Sequence, residues 1–407
     1  MIKHVVAFDV SMGKSTMVIY NRHRQCEFEG EILHNRPSFE KLHNTLQELK
    51  AQDGQTPEIV FEATGVYSKG LERFLQDYQY AYCCLNPIQA NEETKTMRRQ
   101  KTDKADAHGL ARTHFRNERV HTYVEDDYYG QMRAWSRYYA ELDAELNHLH
   151  NRMHAILQLS FPELGTLFST RSALFLNIVQ LYPHPEEVLD HSRTVIRNRL
   201  KQNTKKNLSL QRAEAKGQCL LEAARLSYPA ISRNDIRCEQ VRDYARRISD
   251  LKEKKEQLIK QMVTLSEDKV EYQVLMSFPG IGETTAVRII GELGDIRRFK
   301  THKQLNAYVG IDLRVYQSGK HQMKDIINRR GNRHLRKILF FMVKTMITLR
   351  KKIKNHLVEY YDKLKTQPQG KPHKVACIAC MNKFLKLAFH LITHGKTYDY
   401  EVATNYS

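Results

Sequence analysis

Arg98-Arg99-Gln100-Lys101-Thr102-Asp103-Lys104-Ala105-Asp106-Ala107-His108-Gly109-Leu110-Ala111-Arg112 reads as the opening of a helix that carries two acids three residues apart. At that spacing Asp103 and Asp106 share one helix face. Arg98, Arg99, Lys101, Lys104 and Arg112 surround them with positive charge. Taken alone, the stretch reads first as a solvated face of mixed charge. What precedes it changes that reading.

Val5 to Val10 is a short apolar strand with Asp9 near its end, and a turn at Gly13 leads into a second strand, Thr16 to Tyr20. Arg24 to Leu33 alternates like a third strand. Phe39, Leu42, Leu46 and Leu49 recur at helical spacing; Glu58 to Glu62 is a fourth strand ending on an acid. A helix bearing Leu71, Phe74, Leu75 and Tyr78, then a strand Ala81 to Leu85, completes the run before Asp103. Three strands, helix, strand, helix, strand, helix is the order of ribonuclease-H-like nucleases. Side chains at the carboxyl ends of strands border the site in open α/β sheets, so Asp9 and Glu62 are placed to meet the helical aspartates. Four convergent carboxylates repel one another unless cations lie between them. Hard oxygen ligands suit magnesium or manganese, and two such ions roughly 3.5–4 Å apart clamp the attacking and leaving oxygens of a phosphodiester. Gly13-Lys14-Ser15-Thr16 imitates the end of a phosphate-binding loop, but Phe8 stands where its first glycine belongs, which excludes an ATP site.

The whole chain has 407 residues, enough for about two or three domains. Lys and Arg number 65 against 46 Asp and Glu, a net charge of +19 that favours a polyanionic partner, nucleic acid before membrane. No apolar run approaches the ~18 residues that span a bilayer, and the first residues lack a signal-peptide pattern. Seven scattered cysteines suit reduced thiols in a cytoplasm. Cys377 and Cys380 form one CxxC without the second pair that a structural zinc site needs.

Met132, Trp135, Tyr139, Leu142, Leu146, Leu149, Met153 and Ile156 keep a three-four apolar spacing. Val241, Tyr244, Ile248, Leu251, Lys255, Leu258, Met262 and Leu265 do the same, with Lys255 the polar intruder. Narrow seams of that length predict two coiled-coil arms, folded back on one another or pairing between protomers, with Lys255 setting register. Between them, 160–235 is helical and broken by prolines.

Phe278-Pro279-Gly280-Ile281-Gly282 precedes another helical apolar pattern. Such a turn leaves backbone N–H groups bare at a helix start, where phosphate binds without base readout; it resembles the hairpin of helix-hairpin-helix modules, and a plain interhelical turn is the alternative. Further on, Tyr308 and Gly310 precede Ser318-Gly319-Lys320, and Arg329, Arg330, Arg333, Arg336 and Lys337 follow. A serine hydroxyl needs a base, cation or metal to become a nucleophile, and on its own Ser318 reads as a turn residue.

Asp9, Glu62-Ala63-Thr64-Gly65-Val66-Tyr67 and Thr102-Asp103-Lys104-Ala105-Asp106-Ala107 together resemble the DEDD signature of a group of bacterial insertion-sequence transposases, the "IS one-ten" family. Its N-terminal domain is similar to RuvC-type junction resolvases. Tyr308/Gly310, Ser318/Gly319/Lys320 and Arg330/Gly331 match the order of motifs in the family's C-terminal domain. Leu313 replaces a usual proline, Ile311 a usual leucine, and His321 to Asp325 lacks the glycines common there.

The resemblance implies a RuvC-like DEDD domain at 1–125, a helical coiled-coil region at 126–270 and a mainly α C-terminal domain at 271–407 with a helix-hairpin-helix-like element. It implies that Asp9, Glu62, Asp103 and Asp106 hold Mg2+ or Mn2+, and that Ser318 attacks DNA to form a phosphoserine link. Arg98, Arg99, Lys101, Lys104, Gly280, Gly282, Lys320, Arg329, Arg330 and Arg333 are the expected nucleic-acid contacts. Donor and target DNA, a structured guide RNA and a homo-oligomer (dimer or tetramer) are the expected partners, with no membrane, in a bacterial cytoplasm at the nucleoid. Two other classes stay open: a metal-dependent structure-selective endonuclease with water as nucleophile, and a non-catalytic nucleic-acid-binding protein from a decayed element.

Overall fold

A computed structural model of the chain describes residues 3–94, 102–203, 208–314, 317–318, 321–322, 326–368 and 370–404. For Asp103, Arg314, Gln317, Ser318, His321, Gln322, Ala403 and Thr404 it describes the backbone alone. The chain divides into two compact units, Met1–Val124 and Glu125–Ser407.

In the first unit the order is β1 (His4–Ser11), β2 (Lys14–Asn21), β3 (Cys26–Leu33), α1 (Arg36–Asp53), β4 (Glu58–Glu62), α2 (Lys69–Asp77), β5 (Cys83–Leu85), α3 (Pro87–Thr94) and α4 (Asp103–His114). The strands form one mixed sheet in the order β3-β2-β1-β4-β5. The first three meander antiparallel, and β4 and β5 run parallel to β1. Alternation along the strands sorts the core into two faces. Val6, Phe8, Val10, Ile59 and Phe61 pack with Leu42 and Leu46 of α1 and Leu71 and Phe74 of α2. Val5, Ala7 and Val60 pack on the other face with Ala107, Leu110 and Ala111 of α4. Local chemistry sets the helix ends. Asn35 caps α1 by accepting from Ser38 N, and Gly54 closes it at a φ of 69°; Thr102 caps α4 by accepting from Ala105 N at 3.2 Å.

The second unit is helical: α5 (Asp127–Ser160), α6 (Leu164–Leu167), α7 (Ala173–Leu181), α8 (Pro185–Leu189), α9 (Arg193–Gln202), α10 (Leu210–Leu226), α11 (Ile236–Thr264), α12 (Val270–Ser277), α13 (Glu283–Leu293), α14 (His302–Val309), α15 (Arg333–Thr348), α16 (His356–Lys365), α17 (His373–Thr393) and α18 (Tyr400–Thr404). Between α14 and α15 lie the short strands β6 (Leu313–Arg314), β7 (Gln317–Ser318), β8 (His321–Gln322) and β9 (Ile326–Ile327).

The two long helices α5 and α11 lie antiparallel: Tyr128 meets Ser266 at 2.9 Å, Asp143 meets Lys255 at 2.5 Å, and Glu145 meets Arg247 at 3.2 Å. They are the spine of the unit rather than a pair standing apart. Tyr129, Met132, Ile259 and Met262 enter one core with α12 to α17. Leu146, Leu149, Met153, Val241 and Ile248 enter a second core with α7, α9 and α10. Lys255 has its ammonium over the Tyr139 ring at 4.4 Å as well as on Asp143, so the polar intruder is paired across the seam. Contrary to the expectation from apolar runs, α17 is long and apolar enough to cross a membrane by length and composition. It carries Lys383 and Lys386, and Cys377, Cys380, Met381, Phe384 and Leu385 are buried in the unit's core.

Candidate functional site

Asp9 lies near the carboxyl end of β1, in register with Thr16 of β2, and Glu62 is the last residue of β4. Phe8 pairs with Phe61 across the parallel ladder, which sets Asp9 and Glu62 side by side at its end. Asp9 follows Val5 and Ala7 on the face covered by α4, and Glu62 follows Glu58 and Val60 on the same face. The far end of α4 is fixed by His114, whose Nε2 is 3.6 Å from Oε2 of Glu58, the first residue of β4. With α4 packed along β1 and β4, its first turn therefore points toward the carboxyl ends of the strands. Asp106 stands about 12 Å from His114 at 1.5 Å per helical residue, and Glu62 about 13 Å from Glu58 at 3.3 Å per strand residue. Asp103 opens that turn; its side chain lies outside the described atoms. Asp9, Glu62 and Asp106 are each half-buried, and each engages in polar or charged interactions within the protein. Oxygen donors from two strands and a helix start fit a hard divalent cation.

Arg98, Arg99 and Lys101 lie outside the described residues. Lys104 is exposed and pairs with Glu29 Oε1 at 2.5 Å, which raises its pKa and lowers that of Glu29. Glu29 also meets His108 Nε2 at 2.9 Å. Lys104 thus has a partner on β3.

In the second unit the strings around Ser318 close on one another. Asn332 N donates to Tyr308 O at 2.7 Å, and Arg329 N donates to Gly310 O at 3.1 Å. A Cβ at Gly331 would lie 2.3 Å from Tyr308 O and 2.4 Å from Gly310 N, so the approach needs glycine. From this base β6 pairs with β9, and further out β7 pairs with β8, Ser318 opposite His321. Ser318 is therefore the last residue of β7. Its side chain and all of Lys320 lie outside the described atoms. These strands are not foreshadowed in the sequence, because two-residue strands of mixed polarity carry no periodic signal.

Arg329, Arg330, Arg333 and Lys337 are exposed at the foot of this ribbon and on the start of α15, whereas Arg336 Nη1 donates to Val309 O at 2.6 Å and is structural. Gly280 has a φ of 91°, with Met346 Cγ 3.0 Å from where a Cβ would sit, and exposed Gly282 caps α13. Beside the cations, α5, α13 and α15 line a cavity of about 790 Å³ that sequence reading missed. Arg288 lies under it with its guanidinium 4.5 Å from the Tyr139 ring centre, and burial pushes its pKa down. Its residues are spread over some two hundred positions, so no local motif announces it.

A mixed sheet with acids at its strand ends under a helix that begins with two more is compatible with a ribonuclease-H-like α/β domain, here followed by a helical unit. Residues 6–162 match a DEDD transposase model of the IS110 type, and residues 272–361 match one described as the transposase IS116/IS110/IS902 family. The chain belongs to this family of DEDD transposases. It is 30% identical over 126 residues to the transposase for insertion sequence element IS1111A of Coxiella burnetii, covering 31% of this chain and 34% of that protein. A probable family 20 transposase of Pseudomonas aeruginosa is 24% identical over 191 residues, 47% of this chain and 55% of the relative. The pilin gene-inverting protein of Moraxella bovis is 26% identical over 190 residues, 46% and 56% of the two chains. The matched segments thus span between a third and rather more than half of these relatives.

Proposed function

We propose that this protein is a DNA transposase or recombinase that cuts and rejoins donor and target DNA through a phosphoserine link at Ser318. The observation that carries the reading is the placement of Asp9 and Glu62 at the ends of adjacent parallel strands, on the face whose covering helix opens with Asp103 and Asp106. These four acids would hold Mg2+ or Mn2+, which when bound supplies Lewis-acid stabilisation of charge on the scissile phosphate. Ser318 Oγ attacks phosphorus, an Oγ–P bond forms, one P–O bond of the DNA breaks, and the departing hydroxyl takes up a proton. In rejoining, a DNA hydroxyl attacks the phosphoserine and the serine recovers its proton, so no external energy source is needed. Relatives include an inverting protein as well as transposases, and both outcomes require rejoining.

Arg329, Arg330, Arg333 and Lys337, with Gly282 at the start of α13, are the surface proposed to hold DNA and a guide RNA by backbone contact. The net charge of +19 supports a polyanionic partner of that size. The helix-hairpin-helix role of α12–α13, the three-part division at 125 and 270, a coiled-coil pairing of protomers and a place at the nucleoid belong to the same proposal.

A denaturing gel of protein with labelled donor and target DNA, guide RNA and magnesium tests it. A slow-migrating protein–DNA adduct is expected, lost in both Ser318→Ala and Asp106→Ala. Cleavage without adduct, undiminished by Ser318→Ala, would leave a two-metal nuclease; unchanged DNA would leave a binding protein.

A further inference from the structure

At the other end of the α4 face, away from Asp9 and Glu62, three side chains of different ligand chemistry meet. Glu58 opens β4, Cys83 opens β5, and His121 lies on the segment after α4. One ligand atom from each falls within 4.8 Å of the other two. His121 Nε2 is 3.0 Å from Glu58 Oε2. The Cys83 thiol is buried and donates a long hydrogen bond, 3.7 Å, to Val120 O.

Backbone bonds hold this meeting in place. Thr122 N donates to Tyr82 O and Cys84 N donates to Thr122 Oγ1, both at 2.7 Å, so the 120–122 segment runs along the edge of β5. These bonds flank Cys83 on one side and His121 on the other. The ligands are thus brought together by the fold itself. His114 supplies a further layer. Its Nδ1 lies 3.1 Å from Arg119 Nη1, which can only donate, so Nε2 carries the proton and faces Glu58 Oε2 at 3.6 Å. Arg119 is in turn neutralised by Glu93 at 2.5 Å. His114 therefore orients the carboxylate from outside, the way second-layer partners tune metal ligands.

One carboxylate oxygen, one sulfur and one imidazole nitrogen form a donor set for zinc and a poor one for magnesium. The charges also balance: a carboxylate and a thiolate neutralise Zn2+. We infer that Glu58, Cys83 and His121 form a zinc site at the edge of the sheet, the open kind with three protein ligands and water in the fourth position. Binding forms a Zn–S bond, the thiol proton passes to solvent and zinc sheds hydration water. The site uses none of the four acids proposed for DNA chemistry, so it stands or falls independently of that reading.

The full-length protein, freed of any affinity tag, is titrated with Co2+ and then Zn2+. Wild type should develop a thiolate-to-cobalt charge-transfer band that saturates at one Co2+ per chain and is abolished by one equivalent of Zn2+; Co2+ held by the four acids gives no such band. Cys83→Ser should lose the band; His121→Ala, at a half-exposed position that leaves the core intact, should weaken uptake sharply. His114→Gln should weaken it about 10–100-fold. Asp9→Ala should retain full zinc binding, separating this site from the acidic one. Absence of a thiolate band in wild type, or equal zinc content in wild type and His121→Ala, overturns the assignment.

Discussion

Glu58 and Glu62 stand at the two ends of one face of β4, four residues apart and pointing the same way. Glu58 holds the end of α4 through His114, whereas Glu62 lies beside Asp9 under the start of that helix. One short strand thus separates a polar anchor from the candidate catalytic acids by about 13 Å. The anchor fixes where the first turn of α4 falls, and hence where Asp106 sits relative to Glu62.

Removing an acid from this cluster should abolish chemistry while sparing binding. Glu62→Gln or Asp106→Ala is expected to slow DNA cutting about a thousandfold, the effect of several kcal/mol of lost electrostatic stabilisation. DNA affinity should change little, because the acids contribute no phosphate contacts. Mg2+ should raise the melting temperature of wild type through preferential binding to the folded state, and Glu62→Gln should blunt that rise. Calorimetric scans in Mg2+ and in EDTA, beside a cleavage time course, check both parts.

Gly331→Ala should damage the foot of the Ser318 ribbon. An added Cβ meets three backbone atoms of 308–310 between 2.3 and 2.6 Å, and backbone cannot turn aside as a flexible side chain can. Overpacking of that kind costs about 1–3 kcal/mol. Urea unfolding should show the loss, and adduct formation should fall with it. An alanine variant as stable as wild type would mean that the end of α14 at 308–310 and the backbone at Gly331 do not meet as described.

Much of this was legible from residues alone. Asp9 and Glu62 announce themselves because alternation places Val5, Ala7, Val60 and both acids on one face. The seams of α5 and α11 were visible too, but not which neighbours share them, since α11 packs against α5, α7 and α13 in turn. The pairings of β6 with β9 and of β7 with β8 were hidden because strands of two residues depend on pairing rather than on pattern. Glu58, Cys83 and His121 are far apart in sequence, and only the parallel pairing of β4 with β5 and the return of the 120–122 segment unite them.

The cations after the ribbon should separate into binders and braces. Arg330→Ala, Arg333→Ala and Lys337→Ala, all exposed, should each weaken DNA binding without loss of stability. For each phosphate contact removed, the slope of log affinity against log salt should fall by about 0.9 on duplex DNA. Arg336→Ala should instead lower stability, since its guanidinium holds Val309 O at 2.6 Å and reaches Arg329 O at 3.4 Å. Salt titrations by fluorescence anisotropy, paired with unfolding curves, tell the two groups apart; an unchanged salt slope in all three exposed variants would remove this surface from the DNA interface.

Cys380 offers a pH-dependent test of the C-terminal core. The thiol is fully buried in α17 and donates to Leu357 O at 3.3 Å. Burial pushes its pKa from 9.0 up to about 12. The unfolded chain releases this proton near pH 9, whereas the folded chain keeps it until about 12. The stabilisation is therefore complete below pH 9 and is lost as pH rises through that window, at about 1.4 kcal/mol per pH unit. Lysines and tyrosines titrate over the same range, so the comparison is with Cys380→Ser, which has no group to lose a proton there. Wild type should be the more stable at neutral pH and should fall toward the serine variant as pH rises, in paired urea melts. Thiol labelling gives a second check, with exposed Cys26 and Cys219 reacting in the native state and Cys380 only after unfolding. Parallel pH profiles for the two proteins would show that Cys380 meets water in the native state.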